Sequence, residues 1–455
     1  MRIEIPAGAQ KVLAQLHKAG YEAYVVGGCV RDSVMGRCPN DWDITTSALP
    51  QEVKSCFQRT IDTGIEHGTV TVRMDGESYE VTTYRIDGKY EDGRHPKEVT
   101  FTPSLEEDLK RRDFTINAMA YNDKDGLVDM FDGVSDIENR QIRCVGVAEE
   151  RFSEDALRML RALRFSAQLD FDIEKNTFLA IQKLAPNLEK ISAERIQVEL
   201  VKLLTSDHPE KMRDVYESGL SAVFLPEWDE MVSCQQNSVH HCYSVSEHTI
   251  KVMENVPATK QMRLAALFHD VGKPLSKKTD EKGRDHFVGH PALGAEMAKG
   301  ILQRLKFDNA TIDVVVRLVR YHDERPAASK RNVRRMMNRV GTDYMEDLFQ
   351  LRRADLLGQS DYIQEEKQAY LDTMISYYKE ILDKNEAVTI KQLAINGKDL
   401  MDIGVKRGPH IGEVLEELLQ MVMEDPKQNQ REILLEEAKR KVVMLSGKGG
   451  KASKK

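Results

Sequence analysis

The stretch Tyr24-Val-Val-Gly-Gly-Cys-Val-Arg-Asp32, followed by Asn40-Asp-Trp-Asp-Ile44, decides the fold at the start of this chain. We interpret it as a strand, a glycine turn, a short helix and a second strand that carries Asp41 and Asp43. Side chains two residues apart on a strand point to the same face, so we expect these two carboxylates to project together. Hard oxygen ligands of this kind suit Mg²⁺ held beside phosphate groups.

Residues around this carboxylate pair fit a phosphate site. Gly27 and Gly28 allow a close backbone approach, and Arg31 follows them as a candidate clamp for a triphosphate. Glu80, on a later predicted strand, is the candidate third carboxylate of a two-metal site, although a solvated strand residue would look the same. A lone Asp-x-Asp is usually an ordinary strand end, but the preceding Gly-Gly-x-x-Arg-Asp favours a catalytic site.

Composition places the chain in a broad class. It has 455 residues, 31% charged and 41% hydrophobic, which is typical of a soluble globular protein of about three domains. The net charge of −8 argues only weakly against nucleic-acid binding, because the distribution of charge matters more. Basic stretches occur at Lys110-Arg-Arg112, at Lys330–Arg339 and in the lysine-rich segment 447–455.

The cysteines and the apolar runs predict a cytoplasmic location. No apolar run approaches the length of a membrane span, and the first residues lack the apolar core of a signal peptide. The cysteines form no CxxC pair, which indicates free thiols in a reducing compartment. The segment Cys234–Cys242 clusters Cys and His without a standard zinc spacing, so we do not expect a metal there. The six cysteines are Cys29, Cys38, Cys56, Cys144, Cys234 and Cys242.

The pattern of elements predicts an α+β chain. Residues 1–145, here called the head, fit an α/β arrangement with a helix at 7–19 and a strand at 21–27. Segments 67–73 and 78–84 alternate and are rich in β-branched residues, and the intervening Asp-Gly predicts a hairpin. From residue 146 the chain is helical almost to its end.

The segment Arg111-Arg112-Asp113-Phe-Thr-Ile-Asn117 follows the predicted strands. Arg112 is a candidate ligand for a triphosphate or a base. Asp113 and Asn117 are four residues apart and would share a helix face. We expect Asp113 to hold Arg112 in place.

These motifs, together with Glu154-Asp155-Ala-Leu-Arg158-Met-Leu-Arg161-Ala-Leu-Arg164-Phe165 and Ile191-Ser-Ala-Glu194-Arg195, resemble the class II tRNA nucleotidyltransferase and bacterial poly(A) polymerase family. The resemblance implies two Mg²⁺ ions on Asp41 and Asp43. It also implies addition of C, C and A to the 3′ end of tRNA from CTP and ATP, with protein side chains in place of a nucleic-acid template.

The predicted helix 153–167 would select the nucleotide. Its apolar face comprises Ala156, Leu157, Leu160 and Leu163. Asp155, Arg158 and Arg161 recur at steps of three on another side, and Arg164 follows them. An Asp accepts from the amine of C or A while an Arg donates to the neighbouring ring acceptor, whereas U and G present the opposite order. Alone, Asp155 and Arg158 would be interpreted as an ordinary helical ion pair.

The loop 85–100 bears on the last nucleotide. In the resembled family a loop between the Asp-x-Asp and Arg-Arg-Asp motifs is associated with adding the final A. Here Arg85-Ile-Asp-Gly-Lys-Tyr-Glu-Asp-Gly-Arg94-His-Pro96 is complete apart from His95, where a basic residue is expected. The loop therefore favours full CCA addition, or A addition, over CC addition.

A second constellation lies in the middle of the chain. Phe268-His-Asp-Val-Gly-Lys273 resembles the signature of the HD superfamily of metal-dependent phosphohydrolases. Imidazole with carboxylate suits a transition metal, whose identity stays open, and Lys273 would steer a phosphate. The substrate does not follow from the sequence. The expected ligands are His248, His269, Asp270, His290, His322 and Asp355.

The resemblances imply a domain order. The expected domains are the head at 1–145, a helical neck at 146–225, an HD body at 226–365, a helical tRNA-binding tail at 366–445 and a basic disordered end at 446–455. The rivals are a poly(A) polymerase or A-adding enzyme of the same family, and a phosphohydrolase whose N-terminal half only binds RNA. Expected partners are tRNA, CTP and ATP, with no membrane, and the oligomeric state stays open.

Overall fold

A computed structural model describes residues 2–88, 99–237, 243–360 and 363–449. Within these ranges, every helix is too short or too polar to cross a membrane. The described chain forms two compact units. The first contains Met1–Ser233, Ala258–Lys260 and Gly300–Asp308, and the second contains Cys234–Pro257, Gln261–Lys299 and Asn309–Lys455.

The head is built around one mixed sheet. Its strands are β1 (Ala23–Val26), β2 (Ile44–Thr46), β3 (Thr60–Gly64), β4 (Thr69–Met74), β5 (Glu77–Thr83), β6 (Arg85–Asp87), β7 (Val99–Phe101), β8 (Met119–Asn122) and β9 (Gly126–Asp129). Its helices are α1 (Ala7–Lys18), α2 (Gly28–Val34), α3 (Pro50–Cys56), α4 (Leu105–Lys110) and α5 (Gly133–Glu138). Among the described strands, seven pair in the order β3-β4-β5-β2-β1-β8-β9, and β6 pairs with β7.

The hairpin of β4 and β5 confirms the prediction from the sequence. Thr71 pairs with Glu80 in an antiparallel register. The turn between the strands has positive φ at both Asp75 and Gly76, as the favoured two-residue hairpin turn requires. The local turn chemistry therefore fixes the strand that carries Glu80.

The two faces of the sheet are different. On one face Val81 packs with Ile44 and with Val12 and Leu16 of α1. On the other face α4 places Leu105 and Leu109 against β1 and β8, in the smaller of the two apolar clusters of the head. Because side chains alternate along β5, Glu80 and Thr82 belong to this second face.

The predicted strand at Asp41 begins later than expected. Asp41 and Asp43 precede β2, which starts at Ile44. The carbonyl oxygen of Asp43 still accepts from the amide of Val26 at 3.0 Å. The backbone at Asp43 is therefore tied to the sheet, but the segment 41–43 is not part of the strand.

The rest of the first unit is helical. Its elements are α6 (Ala148–Glu154), α7 (Leu157–Leu169), α8 (Lys175–Leu184), α9 (Ala193–Leu204), α10 (Met212–Glu217), α11 (Ser221–Phe224) and α12 (Pro226–Ser233), with the short strands β10 (Gln141–Ile142) and β11 (Asp172–Ile173) paired in parallel. The predicted single helix 153–167 is wrong, because Asp155 is extended and separates α6 from α7. The carboxylate of Asp155 accepts from the amide of Leu157 at 3.1 Å, and such a local bond competes with continuing the helix.

The second unit is almost entirely helical. Its elements are α13 (Val245–Asn255), α14 (Lys260–Phe268), α15 (Lys273–Ser276), α16 (His290–Arg304), α17 (Asn309–Tyr321), α18 (Lys330–Val340), α19 (Met345–Leu357), α20 (Gln364–Asp383), α21 (Gly397–Asp402), α22 (Pro409–Glu424) and α23 (Arg431–Gly449), with the strands β12 (Lys278–Thr279) and β13 (Asp285–His286). Some of these helices extend slightly past the bounds of the unit. The chain is therefore α+β, as predicted.

The basic stretch at Lys330–Arg339 forms α18, and its cations face carboxylates. Lys330 pairs with Glu380 at 2.6 Å, and Arg331 pairs with Glu424 at 2.9 Å. Arg334 is buried, lies 2.7 Å from Glu386 and also donates to the carbonyl oxygen of Met423. These pairs attach α18 to α20 and α22, so the stretch is a packing element of the second unit.

Candidate active site and candidate metal centre

The three predicted catalytic carboxylates line one cleft of the head. A cavity of about 900 Å³ is bordered by Asp41, Asp43 and Glu80, together with Trp42 and Thr71. Burial raises the pKa of Asp43, and repulsion from Glu80 and Asp41 raises it further, whereas Arg112 lowers it. Mutual repulsion of this kind is what a bound cation relieves, so the donor set fits Mg²⁺.

Two arginines lie near the glycine turn, and the charge of one of them, Arg112, acts on Asp43 of the cleft. Gly27 has φ +80°, and a Cβ there would lie 3.1 Å from Nη1 of Arg112. Arg31 is buried, donates from Nη1 to Oδ1 of Asn117 at 2.7 Å, and lies 2.7 Å from Asp32. The turn therefore needs glycine both for its backbone conformation and for the close approach of Arg112.

The prediction that Asp113 holds Arg112 is wrong. Arg112 instead donates from Nη2 to Oδ2 of Asp108 at 3.4 Å. Asp108 is fully buried and also accepts from Arg111 and Thr45. The reason is helical spacing, because Asp108 in α4 lies three and four residues before the two arginines.

Asp113 pairs with the neighbouring helix α7 instead. Its Oδ2 accepts from Nε and Nη2 of Arg161 at 2.8 and 2.6 Å, and its Oδ1 accepts from Asn117 at 3.3 Å. Burial alone would raise the pKa of Asp113, but the Arg161 guanidinium outweighs it and lowers that pKa to about 2. The expected contact between Asp113 and Asn117 exists, although Asn117 belongs to a 3₁₀ turn.

Asp155 and Arg158 do not form an ion pair with each other among the described contacts. Asp155 accepts from Nη2 of Arg195 at 2.7 Å and from Nη1 at 3.3 Å. Arg158 donates to Glu154 at 2.6 Å and to the carbonyl oxygen of Arg111 at 3.0 Å. Separate partners thus hold the two side chains.

Three of the predicted arginines contact the ring of Phe165. The guanidinium carbons of Arg31, Arg161 and Arg164 lie 5.2, 5.5 and 3.5 Å from its ring centroid. Arg164 also donates to Glu199 at 2.8 Å. The ring of Phe165 in α7 therefore contacts α2 of the head through its cation–π contact with Arg31.

The second unit brings all six predicted metal ligands together. Two groups share one carboxylate: His248 and His269 with Asp270, and His290 and His322 with the same Asp270. Oδ2 of Asp270 lies 3.2 Å from Nε2 of His269, and its Oδ1 lies 3.3 Å from Nε2 of His290. Asp355 reaches Nε2 of His248 at 3.0 Å, and all six side chains are buried.

Each of the four histidines is oriented by a backbone carbonyl. Nδ1 contacts the carbonyl oxygen of Gly358, Ala266, Phe287 or Val319 at 2.7 to 3.0 Å, in His248, His269, His290 and His322 respectively. Because a carbonyl only accepts, each Nδ1 carries the proton and each Nε2 faces the centre. This is the orientation that metal-ligating histidines commonly take.

The four Nε2 atoms meet in two close pairs. Nε2 of His248 and Nε2 of His269 face each other at 3.2 Å, and those of His290 and His322 at 3.3 Å. For bonds of about 2.1 Å to a metal, neighbouring ligand atoms lie roughly 3 Å apart. These two groups, which share Asp270, are the residues that could hold a metal, and Lys273 lies 2.7 Å from Oδ2 of Asp270.

Three family models match the chain. They are the poly A polymerase head domain over residues 23–143, the probable RNA and SrmB-binding site of polymerase A over 170–232, and the putative tRNA nucleotidyltransferase domain 2 over 290–438. The CCA-adding enzyme of Enterococcus faecalis is 36% identical over 437 residues, which are 95% of each chain. That of Streptococcus thermophilus is 38% identical over 435 residues, 95% of this chain and 96% of the other.

The chain belongs to the CCA-adding enzyme family. A crystal structure of the Bacillus stearothermophilus CCA-adding enzyme in complex with CTP is similar to it with a TM-score of 0.72 and 30% identity, covering 97% of this chain and 98% of the other. The prediction that the chain is an enzyme of the tRNA nucleotidyltransferase class is thereby confirmed.

Sequence reasoning assigned no role to several side chains that hold the motifs of this CCA-adding enzyme family, although Glu154 and Arg195 belong to the quoted motifs. These side chains are Thr45, Asp108, Glu154, Arg195 and Glu199. The spacing from Asp108 to Arg111 and Arg112 was a usable signal, whereas Thr45 and Glu199 are distant in sequence from their partners. Most of the loop 85–100 and the end of the segment Cys234–Cys242 lie outside the described residues. The five described cysteines are free.

Proposed function

We propose that this chain adds C, C and A to the 3′ end of tRNA from CTP and ATP without a nucleic-acid template. The observation that carries the proposal is the cleft in which Asp41, Asp43 and Glu80 meet beside Arg112. Membership of the family supports tRNA as the acceptor, and the CTP complex of the Bacillus stearothermophilus relative supports CTP as a donor. A cytoplasmic location follows from this substrate and is part of the proposal.

The reaction is nucleotidyl transfer. The oxygen of the tRNA 3′-hydroxyl bonds to the α-phosphorus, the bond from that phosphorus to the pyrophosphate oxygen breaks, and the hydroxyl proton leaves to solvent. Asp41 and Asp43, with Glu80 beside them, would hold two Mg²⁺ ions. Bound Mg²⁺ lowers the pKa of an attacking hydroxyl and neutralises charge on leaving pyrophosphate.

The arginines beside the glycine turn bind the triphosphate in this proposal. Gly28 has no side chain to block the approach of a phosphate. Arg31 is fixed by Asn117 and Asp32, and Arg112 has a buried Nε without a hydrogen-bond partner among the described residues. A phosphate oxygen would supply the missing acceptor for that buried donor.

Base selection belongs to Asp155 and Arg158, with Arg161 and Arg164 shaping the pocket. Asp155 accepts from the exocyclic amine of C or A, and Arg158 donates to the adjacent ring acceptor. Because U and G present a carbonyl beside an N–H, neither base would offer the hydrogen-bond partner that each side chain requires, and such mismatches discriminate strongly. Arg195 and Glu154 orient the pair before a nucleotide arrives.

We further propose a second, metal-dependent phosphohydrolase site in the second unit. The four inward-facing Nε2 atoms and the shared Asp270 support it. His248, His269, Asp270 and Asp355 would hold one transition metal, and His290 and His322 would complete a second position with Asp270. A metal of this kind supplies an activated water for attack on phosphorus. Lys273, buried beside Asp270, would receive the phosphate.

The test of the main proposal is an extension assay with tRNA that lacks CCA. We expect C addition with CTP alone and a complete CCA end with both nucleotides, and sequencing of the 3′ end reads the product. A lengthening A tail without use of CTP would indicate a poly(A) polymerase instead.

Asp41→Ala with Asp43→Ala should abolish incorporation, whereas His269→Ala with Asp270→Ala should spare it. The reverse pattern would favour a phosphohydrolase that only binds RNA.

A further inference from the structure

Asp108 is a fully buried carboxylate. It lies on the second face of the head sheet, where it contacts Thr45 of β2. Its Oδ1 accepts from Nε and Nη2 of Arg111 at 3.0 and 2.7 Å. Its Oδ2 accepts from Oγ1 of Thr45 at 3.0 Å and from Nη2 of Arg112 at 3.4 Å. One carboxylate therefore joins two guanidinium groups and a strand hydroxyl.

The contact with Thr45 connects this cluster to the catalytic carboxylates. Thr45 pairs with Thr82 in the parallel register of β2 and β5, and residues two apart along a strand share a face. Glu80, two residues before Thr82 on β5, therefore lies on the same side of the sheet as Thr45, and Asp43, which precedes β2, is close enough to Glu80 for the two carboxylates to repel each other. Arg112, tied to Asp108, lies on this side, where its charge acts on Asp43.

The ionised state of Asp108 suits this role. Burial acts to raise its pKa, but Arg111 and Arg112 outweigh burial and lower it below the usual value. A buried carboxylate that stays charged keeps both guanidinium groups in place through charge-assisted hydrogen bonds. Nothing in the proposed chemistry requires Asp108 to contact the nucleotide.

We propose that Asp108 is a positioning residue for nucleotidyl transfer. Thr45 of β2 anchors the carboxylate of Asp108, and this carboxylate in turn holds Arg112 near Asp43. This inference rests on the proposed function, in which Arg112 binds the triphosphate. Asp108 sets the direction of the Arg112 guanidinium, and the backbone at Gly27 leaves the space that this guanidinium fills. Removing the charge at residue 108 should therefore weaken the use of both CTP and ATP.

The chain offers a matched control for this role. Asp136 is also buried in the head, accepts from a threonine, Thr115, and pairs with an arginine, Arg143, at 2.9 Å. Asp136→Asn thus removes the same kind of buried charge without touching Arg112. Comparing it with Asp108→Asn separates loss of stability from loss of positioning.

The experiment measures kcat and KM for C addition and for A addition by the full chain. We expect Asp108→Asn to lower kcat/KM for both nucleotides by about tenfold to a hundredfold, the scale that a misplaced binding group produces, with the KM for tRNA unchanged. Asp136→Asn should stay within about twofold of the wild type at equal folded fraction. Equal losses in the two variants would overturn the positioning role.

A double-mutant cycle tests whether Asp108 acts through Arg112. If it does, Asp108→Asn should add little to the loss of kcat/KM caused by Arg112→Ala. A loss in the double variant equal to the product of the two single losses would overturn the inference. If Arg112→Ala leaves nucleotide use unchanged, the triphosphate role in the proposed function fails. If Arg112→Ala weakens nucleotide use and Asp108→Asn does not, only the positioning role fails.

A milder variant tests the same role if Asp108→Asn does not fold. Thr45→Val keeps the buried shape and the charge at residue 108 but removes the hydroxyl that donates to Oδ2. We expect a loss of about threefold to tenfold in kcat/KM for both nucleotides, smaller than in Asp108→Asn because the bonds from Arg111 and Arg112 still hold the carboxylate. Wild-type kinetics in a folded Thr45→Val protein would overturn the proposed route through β2.

Discussion

At the residue scale, the ion pair of Asp113 and Arg161 fixes the head motif to helix α7. The carboxylate of Asp113 is buried and accepts two bonds from Arg161, one from Asn117 and one from the amide of Phe114. Its folded-state pKa of about 2 lies below its ordinary value of 3.8. A carboxyl group with a lowered pKa stabilises the folded state above its ordinary pKa and loses that contribution as the pH falls.

Asp113→Asn should therefore destabilise the protein in a pH-dependent manner. The difference between the two pKa values corresponds to about 2 kcal/mol of unfolding free energy at pH 7. This difference should shrink as the pH falls from 4 towards 2, and urea denaturation at pH 7, 5 and 3 measures it. Asp75→Asn is the control, since its exposed pair with Lys11 should contribute less than about 1 kcal/mol. A constant difference at all pH values would contradict the assignment.

Individual residues of this site were predicted from the sequence with different success. The residue types and spacing at Asp41, Asp43 and Glu80 predicted that these carboxylates would lie together, and the structure places all three along one cleft. The partner of Arg112 was mistaken because the adjacent Asp113 was preferred to Asp108, which lies one helical turn away. Adjacency along the chain says little about contact, whereas helical spacing says more.

At the element scale, the interruption between α6 and α7 decides how Asp155 is presented. Asp155 is extended, so its carboxylate leaves the helical path and meets Arg195 of α9. The periodicity of the apolar residues predicted one continuous helix, because no glycine or proline marks the break. The hairpin of β4 and β5 was predictable by contrast, since its Asp-Gly turn carries the signal locally.

Arg195→Met should reduce the discrimination between nucleotides. Methionine keeps the aliphatic length but removes the two donors that orient Asp155. We expect the ratio of kcat/KM for CTP over UTP to fall by about tenfold, which corresponds to about 1.4 kcal/mol. Arg140→Met, which breaks the exposed pair with Asp170, is the control and should leave the ratio unchanged. An unchanged ratio in Arg195→Met would count against Asp155 as the group that selects the base.

At the scale of the whole molecule, the candidate metal centre is assembled from residues far apart in the chain. His248 and Asp355 are separated by 107 positions, yet their side chains meet at 3.0 Å. The signature at His269 and Asp270 predicted a metal site, and the structure brings these two residues, directly after α14, together with the other predicted ligands. The carbonyl partners of Nδ1 were not predictable, since any residue supplies a carbonyl and only the packing of the helices places it.

This assembly predicts that a transition metal stabilises the full chain through its second unit. Adding Mn²⁺ or Ni²⁺ at about a hundred times its dissociation constant should stabilise the folded state by about 2.7 kcal/mol, because only the folded chain presents all six ligands. Calorimetry should show a rise in the midpoint temperature that a chelator reverses. His248→Ala should lose this rise while its rate of nucleotide incorporation stays normal.

The matched control is His286→Ala. His286 is exposed and pairs with Asp280 in the same unit, outside the six ligands, so its removal should leave the metal-induced rise intact. If the wild type shows no rise, the six side chains are a metal-free core cluster. If His286→Ala loses the rise as well, the metal is not held by the six buried ligands alone, since His286 borders the same cavity. Only a rise that depends on His248 and not on His286 assigns the metal to the buried centre, because the two variants remove the same imidazole from different surroundings.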